Sequence, residues 1–292
     1  MNGGTLNFII SIGYLQVLAS LLSFLSSFRI LWVILFSKDF RSNPSYQIMA
    51  YIAFVECWQM VATFVSGIMV AKQNTFSDIW LNAVGNTAVI AWITMIVLKF
   101  CLALNRFSVI TTFSWFEFLK SKFVYWANFL FPTALLISLI IICAIWKQTF
   151  IPDIEVADWS FEPNNPIGPI ESLVSLLFTS LAFLLYVVTS IYILKMKSLT
   201  SISLSDVRLL ISSAVAFVYE MIMVIVFHFV MPYFNVPPEC IAIIGLMWCS
   251  LPAFNGFMLL VLNKSFRKSF FSLRHSPSIN ATTVVKTIRE GS

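Results

Sequence analysis

Apolar residues along this chain gather into seven long stretches separated by polar connections: Ile12–Phe36, Tyr46–Val70, Asn82–Arg106, Val124–Trp146, Ile170–Leu194, Val207–Met231 and Glu239–Asn263. A hydrocarbon core about 30 Å thick takes about 20 residues of helix to cross, and each stretch is long enough. The pattern predicts an all-α bundle of seven transmembrane helices. The connections are short except Lys147–Pro169, where Pro152, Pro163, Pro166 and Pro169 exclude a regular helix. Beyond the seventh stretch, Phe266, Phe270 and Leu273 recur at i, i+4 and i+7, while Lys264, Arg267, Lys268 and Arg274 cover the remaining surface. That spacing predicts a short basic amphipathic helix over 264–274, lying on the inner leaflet and drawn there by anionic lipid. From His275 onward the chain is polar, which predicts one membrane domain over residues 1–274 and a disordered tail over 275–292.

Composition agrees, with hydrophobic residues at 59% and charged residues at 11% of 292 positions, far too little polar surface for a soluble globule. Charge then orients the bundle, because translocation of basic loops is resisted. With the N-terminus outside, Lys38, Arg41, Arg106, Lys120, Lys122, Lys195, Lys197, Arg208, Lys264, Arg267, Lys268, Arg274, Lys286 and Arg289 fall on the cytoplasmic side, against Lys72 and Lys147 outside. The net charge of +5 is explained by this asymmetry, so no nucleic-acid partner is implied. Cys57, Cys101, Cys143, Cys240 and Cys249 fall mostly inside apolar runs and suggest no disulfide framework. No basic residue precedes the first stretch, which is expected to act as an uncleaved insertion signal. The sequons at Asn263 and Asn280 lie on the cytoplasmic side and are expected to stay unmodified.

Three local patterns narrow the reading. The second stretch is entered through Asn43-Pro44-Ser45-Tyr46-Gln47-Ile48-Met49, and the third closes on Ala103-Leu104-Asn105-Arg106-Phe107. The seventh carries Asn255-Gly256-Phe257-Met258-Leu259-Leu260, followed by Asn263 and Arg267. Together with seven spans, these make the chain resemble the nematode serpentine chemoreceptors of class T, V or X, which are rhodopsin-like G-protein-coupled receptors. The resemblance implies a plasma-membrane receptor for olfaction or another chemical sense, in the sensory cilia of neurons. Such a receptor binds an extracellular small molecule, activates a heterotrimeric G protein and is open to pairing as a receptor dimer.

Carried over by residue, Asn105, Arg106 and Phe107 stand where the family has Asp-Arg-Tyr, the link to the G protein. Lys120, Lys122, Lys195, Lys197 and Arg208 would assist that contact from the inner loops. Glu56 would match the acid of the family's buried polar site, and Asn255 the asparagine of Asn-Pro-x-x-Tyr, with Gly256 and Leu259 replacing proline and tyrosine. One further departure from the family matters more. The usual outer disulfide is absent, because neither Lys72–Asn82 nor Lys147–Pro169 contains cysteine.

Charges buried in a membrane are costly and default to functional roles. Arg29 is close enough to the inner interface to snorkel. Lys99 lies about 10 Å inside Arg106 and Glu56 roughly 16 Å into its span, so matched depth predicts a Glu56–Lys99 pair. Glu220, roughly 21 Å in from Asp206, is the poorer match and is expected either to share a buried polar network with Glu56, Lys99 and Asn255 or to contact the ligand. Trp92, His228, Trp248 and Phe254 are candidates for the ligand pocket. The plainer readings are helix–helix packing for the aromatics and a helix-end histidine satisfied by water or a carbonyl. Trp80, Trp126, Trp146 and Trp159 fall near span ends and are expected to be interfacial anchors.

No metal, cofactor or enzymatic chemistry is suggested. His228 and His275 fall on opposite sides of the membrane, and the chain lacks HExxH, a Gly-rich phosphate loop and a Gly-x-Ser-x-Gly elbow. The alternative function is a small ion- or proton-coupled transporter or channel using Glu56, Lys99 and Glu220. Repeated halves and broken helices would mark that class, and the chain has an odd number of spans and no repeat.

Overall fold

Among the described residues, seven helices are long and apolar enough to cross a bilayer. The computed structural model describes residues 3–111, 118, 121–145, 150–161, 165–196 and 204–271. The spans are α1 (Gly3–Phe36), α3 (Pro44–Lys72), α4 (Asp78–Ile110), α5 (Lys122–Ile145), α6 (Ile167–Met196), α7 (Leu204–Ile225) and α8 (Pro238–Leu262). A single short turn, α2 (Lys38–Arg41), joins the first two, and α9 (Lys264–Phe271) follows the last.

Helix ends are set by local chemistry. Asn43 caps α3 by accepting from the Ser45 amide, with Pro44 at the first helical position, and Ser77 caps α4. Asn263 caps α9, its Oδ1 accepting from the Phe266 amide at 3.0 Å, while its Nδ2 donates to the Tyr46 hydroxyl at 2.7 Å. The expected amphipathic helix is thus present over Lys264–Phe271, and residues 272–274 of the predicted range lie outside the described residues. Its apolar face brings Phe266 against Phe40 and Tyr46. Arg29 does not merely snorkel. Its Nε donates to the Phe270 carbonyl at 2.9 Å, and its guanidinium lies 5.9 Å from the Phe270 ring, tying α1 to α9.

The first helix begins at Gly3, well before the apolar limit at Ile12, because Thr5 Oγ1 donates to Glu239 Oε1 at 2.6 Å and ties its start to α8. Its buried stripe, Gly13, Gln16, Ser20, Ser23 and Ser27, recurs at helical spacing and consists of small or polar residues. Small residues let membrane helices approach closely, and α1 packs most extensively on α3, with Gly13 against Val70 and Ala71. Leu15, Leu18, Leu22 and Leu25 face outward, as lipid contact requires.

The central helix is α4. Of its most apolar 18-residue window 83% is buried inside the protein, against 22% to 56% in the other spans, and it packs on α3, α5 and α6.

The connection between α5 and α6 contains an antiparallel hairpin, β1 (Phe150–Asp153) and β2 (Asp158–Phe161), which periodicity did not predict. It sits across the end of the bundle where α1, α4, α6 and α8 begin. Gln16 Nε2 donates to the Ala157 carbonyl at 2.9 Å and Gln73 Nε2 to the Ile154 carbonyl at 3.0 Å. Two glycines make room for its backbone. A methyl group at Gly85 would overlap the Phe150 carbonyl, and one at Gly245 would lie 2.6 Å from the Ala157 oxygen. Gly85→Ala is therefore expected to unseat the hairpin and cost about 1–3 kcal/mol, the usual penalty of overpacking. Thermal melting of the detergent-solubilised variant and the rate of proteolysis within 154–157 measure this; an unchanged melt with no new cleavage would contradict the seating.

Candidate functional site

Two cavities lie at different depths along α4. The one beneath the hairpin is roofed by Phe150, Trp159 and Phe161 and floored by Trp92, Phe227 and Trp248. Trp92 and Trp248 meet with ring centroids 4.2 Å apart, Phe227 meets Trp248 at 5.4 Å, and Phe150 stacks on Trp159 at 5.2 Å. Gln59, Thr63 and Glu171 supply its polar side. Glu171 is 2% exposed, and its Oε1 accepts from Trp92 Nε1 at 2.8 Å and from Ser175 Oγ at 2.6 Å. His228 Nε2 lies 3.5 Å from the same oxygen, and its Nδ1 lies 3.4 Å from Ser172 Oγ. His228 sits in a π-helical turn, Val226–Val230, that ends α7; such turns re-aim side chains and recur at functional sites.

The hairpin brings its own charge. Asp158 is 7% exposed, and burial pushes its carboxyl up to about 7. The Trp159 backbone opposes that shift and Asp153, its cross-strand partner, adds to it.

The second cavity lies nearer the Arg106 end, among α1, α3, α4, α6, α7 and α8. Glu56, Lys99, Glu220 and Asn255 all line it, with Tyr186, Ser212 and Ser213. Lys99 Nζ and Glu220 Oε2 form an ion pair at 2.6 Å. Glu56 is held by neutral donors, Ser27 Oγ at 2.8 Å and Asn255 Nδ2 at 2.9 Å. The expected Glu56–Lys99 pair is thus corrected. Rise along a helix fixes depth but not the face a residue presents, and Glu56 presents its carboxylate to α1 and α8. Lys99 still attracts it across the cavity.

At the far end of α4, Arg106 is 1% exposed, with Nη2 4.0 Å from Met49 Sδ. Asn105 Oδ1 accepts from Ser45 Oγ at 2.5 Å, and Phe107 is buried. Lys122, Lys195 and Arg208 are exposed, whereas Lys120 and Lys197 lie outside the described residues.

Comparison with known proteins follows this geometry. A family model described as the serpentine type 7TM GPCR chemoreceptor Srt matches residues 9–283. The chain belongs to the Srt chemoreceptor family. No curated protein sequence matches it significantly. Among solved structures, the crystal structure of squid rhodopsin is similar with a TM-score of 0.65 at 13% identity, covering 91% of this chain and 84% of that one, a likeness of fold.

This Srt chain gathers Trp92, Trp248 and, through Glu171, His228 around the outer cavity. Phe254 lines neither cavity and packs instead on Tyr219, ring centroids 4.9 Å apart. Six residues along an α-helix place it about 120° around the axis from Trp248. Trp159 is also corrected. It roofs the cavity, while Trp80 and Trp126 are exposed as anchors would be and Trp146 lies outside the described residues. Glu171 and Gln59 were missed. Glu171 falls in the first turns of α6, next to the apolar limit at Ile170, and Gln59 is a lone polar residue one turn from Glu56.

Two outcomes follow. Removing one partner of the buried ion pair, as in Lys99→Ala or Glu220→Ala, is expected to destabilise the bundle by about 3–5 kcal/mol. Glu56→Gln should cost less, because no buried counter-charge is stranded. Melting of the purified variants decides, and a smaller loss for Lys99→Ala than for Glu56→Gln would contradict the pairing. For Asp158, the folded carboxyl titrates above its ordinary value of 3.8, so its contribution to stability is fully present below about 4 and is lost as pH rises through about 7. Asp158→Asn should therefore melt increasingly above the wild type between pH 5 and 8; a gap that is constant with pH would contradict this.

Proposed function

We propose that this protein is a chemosensory receptor that binds an extracellular small molecule beneath the hairpin and activates a heterotrimeric G protein at the Arg106 end. The observation that carries the reading is that the aromatic cavity and the covered Arg106 lie on one central helix, α4, at opposite ends of the polar cavity. The basic residues of the loops support an orientation with the hairpin outside and Arg106 at the cytoplasmic face. Family membership supports the chemosensory role and a place in the plasma membrane, and by extension the cilia of a sensory neuron.

A route between the ends follows from the contacts. Phe227 on the π-helical turn and Trp248 on α8 both border the outer cavity, so a ligand there presses directly on α7 and α8. Helix α7 packs chiefly on α8 and reaches α4 through Lys99–Glu220, so displacement above is relayed to that ion pair. Breaking or shifting it lets the inner end of α7 swing from α4 and uncovers Arg106, a change between two packed arrangements. The G protein then meets Asn105, Arg106 and Phe107, with Lys120, Lys122, Lys195, Lys197 and Arg208 around them.

The test compares G-protein activation by the wild type and Arg106→Ala at matched surface levels, without ligand and across a panel of volatile and water-soluble cues. Coupling at Arg106 predicts at least a tenfold fall in the variant's signal. Equal signals would overturn it, and a proton- or ion-dependent current from the same cells would favour transport.

A further inference from the structure

The outer cavity contains two buried acceptors that the protein leaves unused. Glu171 Oε2 and Gln59 Oε1 have no hydrogen-bond partner in the protein, and the two residues are 2% and 3% exposed. Both line the same small space beneath the hairpin. A buried acceptor without a donor costs about 1–3 kcal/mol, and more when it is charged, so two of them facing one cavity call for a group that brings donors.

We infer that the cavity beneath the hairpin takes a small organic ammonium ion, bonded to Glu171 Oε2 and Gln59 Oε1 and boxed by the rings of Trp92, Trp159 and Trp248. This assignment rests on reading that cavity as the receptor's ligand site. Each competing chemistry meets an obstacle. A carboxylate or phosphate would be repelled by Glu171, and among the described residues no lysine or arginine lines the cavity. An apolar ligand would leave both acceptors unpaired. An alcohol brings one donor to two acceptors. An alkylammonium brings up to three donors and a positive charge, and indole faces attract that charge more strongly than other rings do.

A bare metal ion is poorly served as well. Hard cations want six or more oxygen ligands, and among the described residues there is no cluster of His, Cys, Asp and Glu able to hold a metal. The other cation in reach is the Glu171 neighbour itself, His228, when protonated. Its Nε2 faces Oε1 at 3.5 Å and leaves Oε2 to the ligand. Size sets a second limit. The aromatic rings close tightly around the space, so the ion is short and its alkyl part presses on the aromatic walls.

The experiment uses the purified full-length chain in lipid nanodiscs. The probes are n-alkylammonium ions from methyl to butyl, with the alcohols and carboxylates of the same chain lengths. Binding is read by tryptophan fluorescence and by melting temperature. The expected result is saturable binding of at least one ammonium, about tenfold or more tighter than its alcohol, with no binding of carboxylates. Glu171→Gln keeps the side chain's shape and should weaken the ammonium at least about tenfold, and Gln59→Leu should weaken it independently, so the inference stays testable if one variant fails to fold. Equal binding of alcohols, preference for carboxylates, ammonium binding unaffected by both substitutions, or no ammonium binding at all would each overturn it. The readout needs no G protein. Ammonium binding without Arg106-dependent signalling would sink the coupling alone, and Arg106-dependent signalling without ammonium binding would sink the ligand class alone.

Discussion

Within a bilayer little water is available to complete a polar group's hydrogen bonds, so a buried polar group is costly unless the protein or a bound molecule supplies its partner. That constraint organises this bundle. Lys99 on the most buried helix carries a charge that Glu220 neutralises at 2.6 Å, and the pair ties α7 to α4 beside a cavity that otherwise separates them. Glu56 answers to the same rule with neutral donors on α1 and α8. Each polar contact thereby fixes the rotation of two helices about their axes, which apolar side chains facing lipid on one side and protein on the other do only loosely.

The hairpin extends the rule to the membrane surface. None of the five cysteines forms a disulfide, so no covalent link of that kind holds the segment over the bundle. Glutamine amides on α1 and at the end of α3 bond its turn carbonyls instead, and Gly85 and Gly245 admit its backbone. The roof is held by a few hydrogen bonds and stacked rings, and burial raises the carboxyl of Asp158 within it. The cavity beneath the roof and the covered arginine lie toward opposite ends of the same helix, α4.

Much of this was legible in the chain. Runs of 20 or more apolar residues can only be spans, because an unpaired backbone is intolerable in lipid, and that fixed the number of helices and the class of fold. The basic helix after the seventh span was readable because amphipathic spacing is local. The residues Glu56, Lys99, Glu220 and Asn255 stood out as polar groups in apolar surroundings, and all four line one cavity. Their pairing was not legible. Depth follows from counting residues along an axis, whereas partnership depends on how each helix is rotated against its neighbours.

The same distinction separates Trp159 and Phe254 from their expected places. An aromatic near a span end looks like an anchor, yet the hairpin folds Trp159 back over the cavity. A deep aromatic looks like a pocket wall, yet helical phase turns Phe254 onto Tyr219. Glu171 was hidden by its position at the margin of an apolar run, and the π-helical turn that carries the candidate His228 leaves no periodic trace. Sequence alone therefore determined the spans, the basic asymmetry and the inventory of buried charges, because these follow from the solvent each residue must enter. Only the tertiary structure decided which charges meet, where the roof lies and which acceptors remain unpaired, because those depend on rotations and distances between segments far apart in the chain.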